Sequence, residues 1–171
     1  MKSRLTLAVL GLLLAVVSQA FAHFVWVAID KDSSGAPGLF VWFSELAEAD
    51  SADLLDKITT VKVWTRSAKE NSQPLKVTKK VEGNGGALVA FVPAGAKAAS
   101  AHINYGVLDR KGDKFLLQYH AKYLDASAPD WKALARDEAL KFEIVPEAAD
   151  KGFTLFVLFQ GKPVAGSEVV I

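Results

Sequence analysis

The sequence has 171 residues, with 20 lysines and arginines against 19 aspartates and glutamates. So small a net charge does not indicate a surface that binds nucleic acid or an anionic membrane. The chain contains no cysteine, which excludes disulfides, thiolate metal ligands, a cysteine nucleophile and a lipid-modified N-terminal cysteine.

The N-terminus predicts a cleavable secretory signal over residues 1–22. Two basic residues open the chain, and an unbroken run of apolar and small residues follows over 5–17. Residues 20–22 read Ala-Phe-Ala, the small-x-small pattern that signal peptidase recognises. The apolar run is shorter than the roughly 20 residues that a membrane span needs. We therefore expect export to the periplasm or to the medium, with no membrane span left after cleavage.

The mature chain, residues 23–171, has the length of one ordinary domain with its own core. Short apolar segments separated by turn signals predict an all-β, immunoglobulin-like antiparallel sandwich. The predicted strands are 24–29, 39–43, 61–65, 75–81, 87–92, 99–108, 114–120, 140–145, 153–159 and 164–171. The segments 82–86 and 109–113 are expected to be hairpin turns.

Two short connecting helices are predicted between strands. One spans about 51–58 and presents Leu54, Leu55 and Ile58 on one face. The other starts near Ser127, where Ser127 and Asp130 match a capping box, and it is expected to bury Trp131 and Leu134.

His23 is the first candidate metal ligand, because cleavage after residue 22 makes it the N-terminal residue. A free α-amine and Nδ1 of the same histidine can chelate one metal ion, and a second imidazole would complete a histidine brace. Nitrogen ligands of this kind suit copper and nickel. The α-amine has a pKa near 8, so it releases its proton to a metal more easily than a lysine does.

His102 and His120 are the other two histidines, and each lies in a predicted strand. Strict alternation places His102 on a polar face with Ser100 and Asn104, where it could bind a metal or simply face solvent. If 109–113 is a turn, the two strands are neighbours, but the register that decides which residues stand opposite each other stays open.

Three further features have a simpler interpretation. Glu45 follows the second predicted strand and is either an oxygen ligand or an exposed loop acid. The segment 30–35 imitates the start of a calcium loop, but Val41 occupies the position of the bidentate glutamate, which favours a plain turn. The four tryptophans have no spacing that predicts one exposed stripe, so we expect them in the core.

The sequence contains no phosphate-binding loop and no G-x-S-x-G or H-E-x-x-H motif.

Five short segments resemble a family of exported bacterial proteins, a domain of unknown function associated with cobalt and nickel uptake. They are residues 22–26 (AHFVW), 43–45 (FSE), 104–108 (NYGVL), 115–119 (FLLQY) and 158–166 (LFQGKPVAG). The resemblance implies an immunoglobulin-like sandwich and the periplasmic component of an uptake system, whose transporter would lie in the inner membrane. It also implies that His23 corresponds to the typical N-terminal histidine of the family.

Three functions are compatible with these observations. The favoured hypothesis is a non-catalytic periplasmic protein that binds nickel, cobalt or copper for uptake or buffering. Its candidate ligands are His23, His102, His120 and Glu45. The second is a copper redox enzyme with a histidine brace, similar to lytic polysaccharide monooxygenases. The third is a structural or adhesion module in which the N-terminal histidine has no role.

Overall fold

The computed structural model describes residues 22–32, 34–69 and 72–169. The predicted signal therefore lies outside the described residues, apart from Ala22. Within the described ranges, no helix is both long and apolar enough to cross a membrane.

The chain is all-β, as the sequence predicts. Its strands are β1 (Phe24–Lys31), β2 (Pro37–Ser44), β3 (Asp50–Ser51), β4 (Lys62–Arg66), β5 (Gln73–Leu75), β6 (Thr78–Glu82), β7 (Gly85–Phe91), β8 (Ala98–Arg110), β9 (Asp113–Leu124), β10 (Phe142–Ala148), β11 (Phe153–Phe159) and β12 (Lys162–Pro163). A 3₁₀ helix (Ala52–Ile58) and one short α-helix, α1 (Trp131–Leu134), connect them.

The strands form three antiparallel sheets with a sandwich-like arrangement. The first sheet has the order β1-β2-β7-β3, with β6 also paired to β7. The second has the order β5-β4-β8-β9, and the third has the order β10-β11-β12. Both predicted hairpin turns are present, one between β6 and β7 and one between β8 and β9.

The main core lies between the first and second sheets, because alternate residues of each strand point inward. Val25, Val41 and Phe43 from the first sheet are buried against Ala101 and Ile103 from the second. The intervening residues of β8 point to the opposite face of the second sheet. Ser100 is one of them and is also fully buried, so the sheet is covered on this face as well at Ser100.

Buried charges fasten the chain around α1 to this second face of β8. Asp137 is 2% exposed, and its Oδ2 accepts hydrogen bonds from Trp64 Nε1 at 2.9 Å and from Ser100 Oγ at 2.5 Å. Arg66 Nε lies 3.1 Å from the same oxygen. The carboxylate is therefore neutralised and hydrogen-bonded, as a buried charge must be.

Glu143 extends this contact to β10. Its Oε2 accepts hydrogen bonds from Lys122 Nζ at 2.8 Å and from the backbone N–H of Asp137 at 2.9 Å. Burial lowers the pKa of Lys122, and the hydrogen bond to Glu143 opposes that effect. The ion pair between Lys122 of β9 and Glu143 of β10 thus joins the third sheet to the second. It lies beside a small apolar cluster around Val145 and Leu158.

Three local predictions differ from the structure. The predicted strand 75–81 is divided into β5 and β6. The predicted strand 164–171 is absent over its described part, 164–169, because pairing with β11 ends at Pro163. The capping box is also wrong, since Ser127 Oγ donates to Asp125 and α1 begins only at Trp131.

Candidate functional site

His23 lies at the start of β1, at the edge of the main core. Its ring packs against Phe43 with a centroid separation of 5.6 Å, and its backbone oxygen accepts a hydrogen bond from the Tyr119 hydroxyl at 3.0 Å. The side chain stays 30% exposed. The first residue of the expected mature chain is therefore held in place on one side and open to solvent on the other.

Asp50, in β3, is the acidic partner of His23. Its Oδ2 lies 3.6 Å from His23 Nε2, within the range of an ion pair but longer than a direct hydrogen bond. A carboxylate beside Nε2 favours the proton on that nitrogen and leaves the lone pair on Nδ1, the nitrogen that lies nearer to the residue's own backbone. Carboxylates orient metal-binding histidines in this way in many proteins.

His102 and His120 stand directly opposite each other on β8 and β9. Their ring centroids are 4.5 Å apart, and both side chains are partly buried. Burial lowers the pKa of both imidazoles, helped by Lys62 and Lys141 at His102 and by His102 and Lys141 at His120. Both rings are therefore neutral near pH 7, the protonation state in which histidine binds metals.

A β-bulge brings these two histidines into opposition. Near the turn Arg110 pairs with Asp113, and that register, if continued, would place Ala121 opposite His102. The register shifts between Asn104 and Gly106, and the extra residue makes His120 the partner. Sequence alternation alone gives no sign of this shift.

The structure separates His23 from the histidine pair. Tyr119 points into the main core, where its hydroxyl contacts His23, whereas the next residue, His120, points to the opposite face of β9. Neither His102 nor His120 therefore provides the second imidazole of a histidine brace at His23. Within the described ranges, no group of three or more histidine, aspartate or glutamate side chains could surround one ion.

Glu45 is exposed and directly follows β2. The last pair of β1 and β2 joins Phe24 to Ser44, so the same register continued by one step sets Glu45 opposite His23. Glu45 makes no hydrogen bond or ion pair with the residues that the structure describes. It belongs to the same edge as His23 without contacting its ring.

The calcium-like segment forms a tight turn closed by its own aspartate. Asp32 Oδ1 accepts hydrogen bonds from the backbone N–H groups of Ser34 at 2.8 Å and Ala36 at 3.0 Å. Hydrogen bonds from Ser34 lower the pKa of Asp32. The carboxylate thus serves the turn itself, in agreement with the plain turn that the sequence favours.

Sequence reasoning missed an aromatic face on the outer side of the first sheet. Trp26 and Trp42 are cross-strand partners on β1 and β2, and Phe40 stacks on Trp42 at 5.7 Å with nearly parallel rings. These side chains are partly exposed, so the expectation of core tryptophans is wrong for this pair. The alternation of aromatic residues with valine and leucine in both strands is the signal that could have indicated it.

Comparison with protein-family models, with curated proteins and with solved structures finds no match for this chain. Its function must therefore be argued from its own residues.

Proposed function

We propose that this protein is an exported binding protein for a divalent transition metal, with His23 of the mature chain as the principal ligand. The observation that carries the proposal is the position of His23, which is anchored by Tyr119 and faces Asp50 through Nε2. Nδ1 and the α-amine that cleavage would create are then free to chelate one ion. Residues 1–22 have the composition of a secretory signal, which supports export and a mature start at His23.

The chemistry of these donors favours copper, nickel or cobalt. Two nitrogen atoms from one residue close a small chelate ring, and such donors suit late first-row metals. Asp50 and Glu45 add negative charge near this edge of the sandwich, and this charge attracts a cation. In the expected compartment, the protein would deliver the metal to an uptake transporter in the inner membrane or buffer its concentration, as the family resemblance suggests.

A copper redox enzyme is a weaker alternative. A histidine brace requires a second imidazole next to His23. The other two histidines lie on the opposite face of the second sheet from Tyr119, which contacts His23. The aromatic face around Trp42 could contact a sugar, but it offers no link to the metal site. The non-catalytic function therefore explains more of the observed geometry.

The test is a calorimetric titration with Cu(II), Ni(II) and Co(II) on two preparations. One begins at His23 with a free α-amine, and the other begins at His23 with an acetylated α-amine, which removes that donor while every side chain is retained. We expect the first preparation to bind one more metal ion than the second for at least one of the three metals. Equal stoichiometry and affinity in both preparations for all three metals would refute the N-terminal chelate.

A further inference from the structure

We propose that His102 and His120 form a second transition-metal site, which binds one ion through two imidazole nitrogens and acts independently of His23. The site lies on the face of β8 and β9 that points away from the main core. It uses no atom of the N-terminal residue, so it can exist whether or not the N-terminal chelate forms.

The geometry of the pair fits a bidentate site. The two residues are direct cross-strand partners, and their ring centroids are 4.5 Å apart with an interplanar angle of 34°. Side chains of such partners project from the same face at nearly the same height. Two imidazoles fixed at this separation can bind one ion together, and the rigid hairpin supplies the arrangement before the metal arrives.

Unsatisfied nitrogen atoms support the same conclusion. His102 Nε2 and His120 Nδ1 are both buried and have no hydrogen-bond partner among the described residues. Buried polar atoms nearly always have a partner, and an unpaired one needs an explanation such as an ion. Here the two atoms belong to rings whose centroids are 4.5 Å apart, so one ion at the ring edges, bound along the lone pair of each nitrogen, is the partner that we propose for both.

The charges near the histidine pair indicate which additional ligands the bound ion would have. The charged groups that act on the pair are Lys62, which is the neighbour of His102 on β4, and Lys141. Neither lysine forms an ion pair within the described ranges. Their positive charge opposes a bare dication, so the remaining coordination positions favour an anionic ligand such as hydroxide, chloride or a carboxylate.

The amide pair next to the histidines closes one side of the site. Asn104 and Gln118 lie opposite each other on the same face, and Gln118 Nε2 donates a hydrogen bond to Asn104 Oδ1. This hydrogen bond uses the carbonyl oxygen of Asn104, and the two imidazoles are the nitrogen donors of this face. The Phe142 ring lies 6.5 Å from the His120 ring and is the nearest aromatic neighbour contributed by β10.

The test uses Cu(II) on the His23→Ala variant of the mature protein, which has no imidazole at its N-terminus. We expect one bound Cu(II), with an electron paramagnetic resonance spectrum that shows hyperfine coupling to two imidazole nitrogens. The variants His102→Asn and His120→Asn should each weaken binding at least tenfold. The control variant Lys62→Ala should tighten it severalfold, because a repelling charge is removed.

Two results would overturn the proposal. One is the absence of Cu(II) binding at micromolar concentration to the His23→Ala variant. The other is binding that further substitution of either His102 or His120 leaves unchanged. If one of these further variants fails to fold, the spectrum of the His23→Ala protein, which keeps both His102 and His120, still tests for two imidazole ligands. Because the His23→Ala variant lacks the N-terminal histidine, failure here leaves the His23 proposal intact, and failure of the His23 titration leaves this one intact.

Discussion

His23 and Asp50 show how two residues that are distant in sequence can come together at one proposed metal ligand. Asp50 carries no motif and lies in a two-residue strand, so nothing in the sequence indicates it as a partner of His23. Pairing of β3 with β7 places its carboxylate beside the imidazole. The contribution that we propose for Asp50 is negative charge beside Nε2, which favours the proton on that nitrogen and leaves Nδ1 for the metal.

Replacement of Asp50 by alanine should weaken metal binding at His23. Loss of a carboxylate that orients a metal-binding histidine typically reduces affinity about 10- to 100-fold. Calorimetry with Ni(II) on the protein that begins at His23 measures the effect. The control is Glu48→Ala, an exposed acid near the same edge that does not contact His23. An equal effect of both substitutions would mean that only the overall negative charge matters.

The histidine pair should also make the stability of the metal-free protein depend on pH. Burial, with nearby positive charge, lowers the pKa of His102 and His120 below the usual 6.5. The unfolded chain therefore binds more protons than the folded one at mildly acidic pH, so stability is complete above about pH 6.5 and falls as the pH decreases below it. Chemical denaturation between pH 5 and 7 should show this decline.

The double variant His102→Asn, His120→Asn isolates this effect. Its stability should depend less on pH between about 5 and 6.5, since ordinary carboxylates titrate mainly below that range. An unchanged slope in the double variant would show that other groups cause the decline.

Among the elements, the buried ion pair between Asp137 and Arg66 holds the chain after α1 against the second sheet. Asp137→Ala should destabilise the protein by about 3–5 kcal/mol, because it leaves Arg66 buried without its partner. Denaturant unfolding measures the change. Asp150→Ala is the matched control, since Asp150 is exposed and its removal should change stability by less than about 0.5 kcal/mol. A similarly small effect at Asp137 would contradict the role assigned to this ion pair.

The limits of prediction from sequence are also visible in the strands. The apolar stretches 24–29 and 39–43 predicted β1 and β2, which the structure extends to Phe24–Lys31 and Pro37–Ser44. Alternation within β8 also placed His102 correctly on the face away from the main core. The opposition of His102 and His120 could not be predicted, since it depends on the bulge near Gly106. The partner of His23 could not be predicted either, because it depends on pairing between distant strands.

The end of the chain shows a different limit. The apolar residues after Pro163 suggested a final strand, but β-propensity does not form a strand without a partner. Apart from one backbone hydrogen bond from the N–H of Val164 to the carbonyl oxygen of Val157, their described part does not continue the pairing with β11, and it stays largely exposed. The face of the third sheet that carries Ile144 and Phe159 is also exposed and apolar.

For the whole molecule, the proposed chelate requires export and cleavage before His23. Expression of the full chain in a Gram-negative bacterium should yield a periplasmic protein that lacks residues 1–22. Intact-mass spectrometry of the periplasmic fraction measures the new N-terminus directly. A mature chain that begins at any other residue would remove the α-amine from His23 and with it the proposed chelate.

An anomalous diffraction map of crystals of the mature protein loaded with Ni(II) or Cu(II) shows directly whether His23 binds the metal. We expect a peak about 2 Å from both the backbone nitrogen and Nδ1 of His23. A map that shows bound metal elsewhere and none at His23 would contradict the proposed chelate.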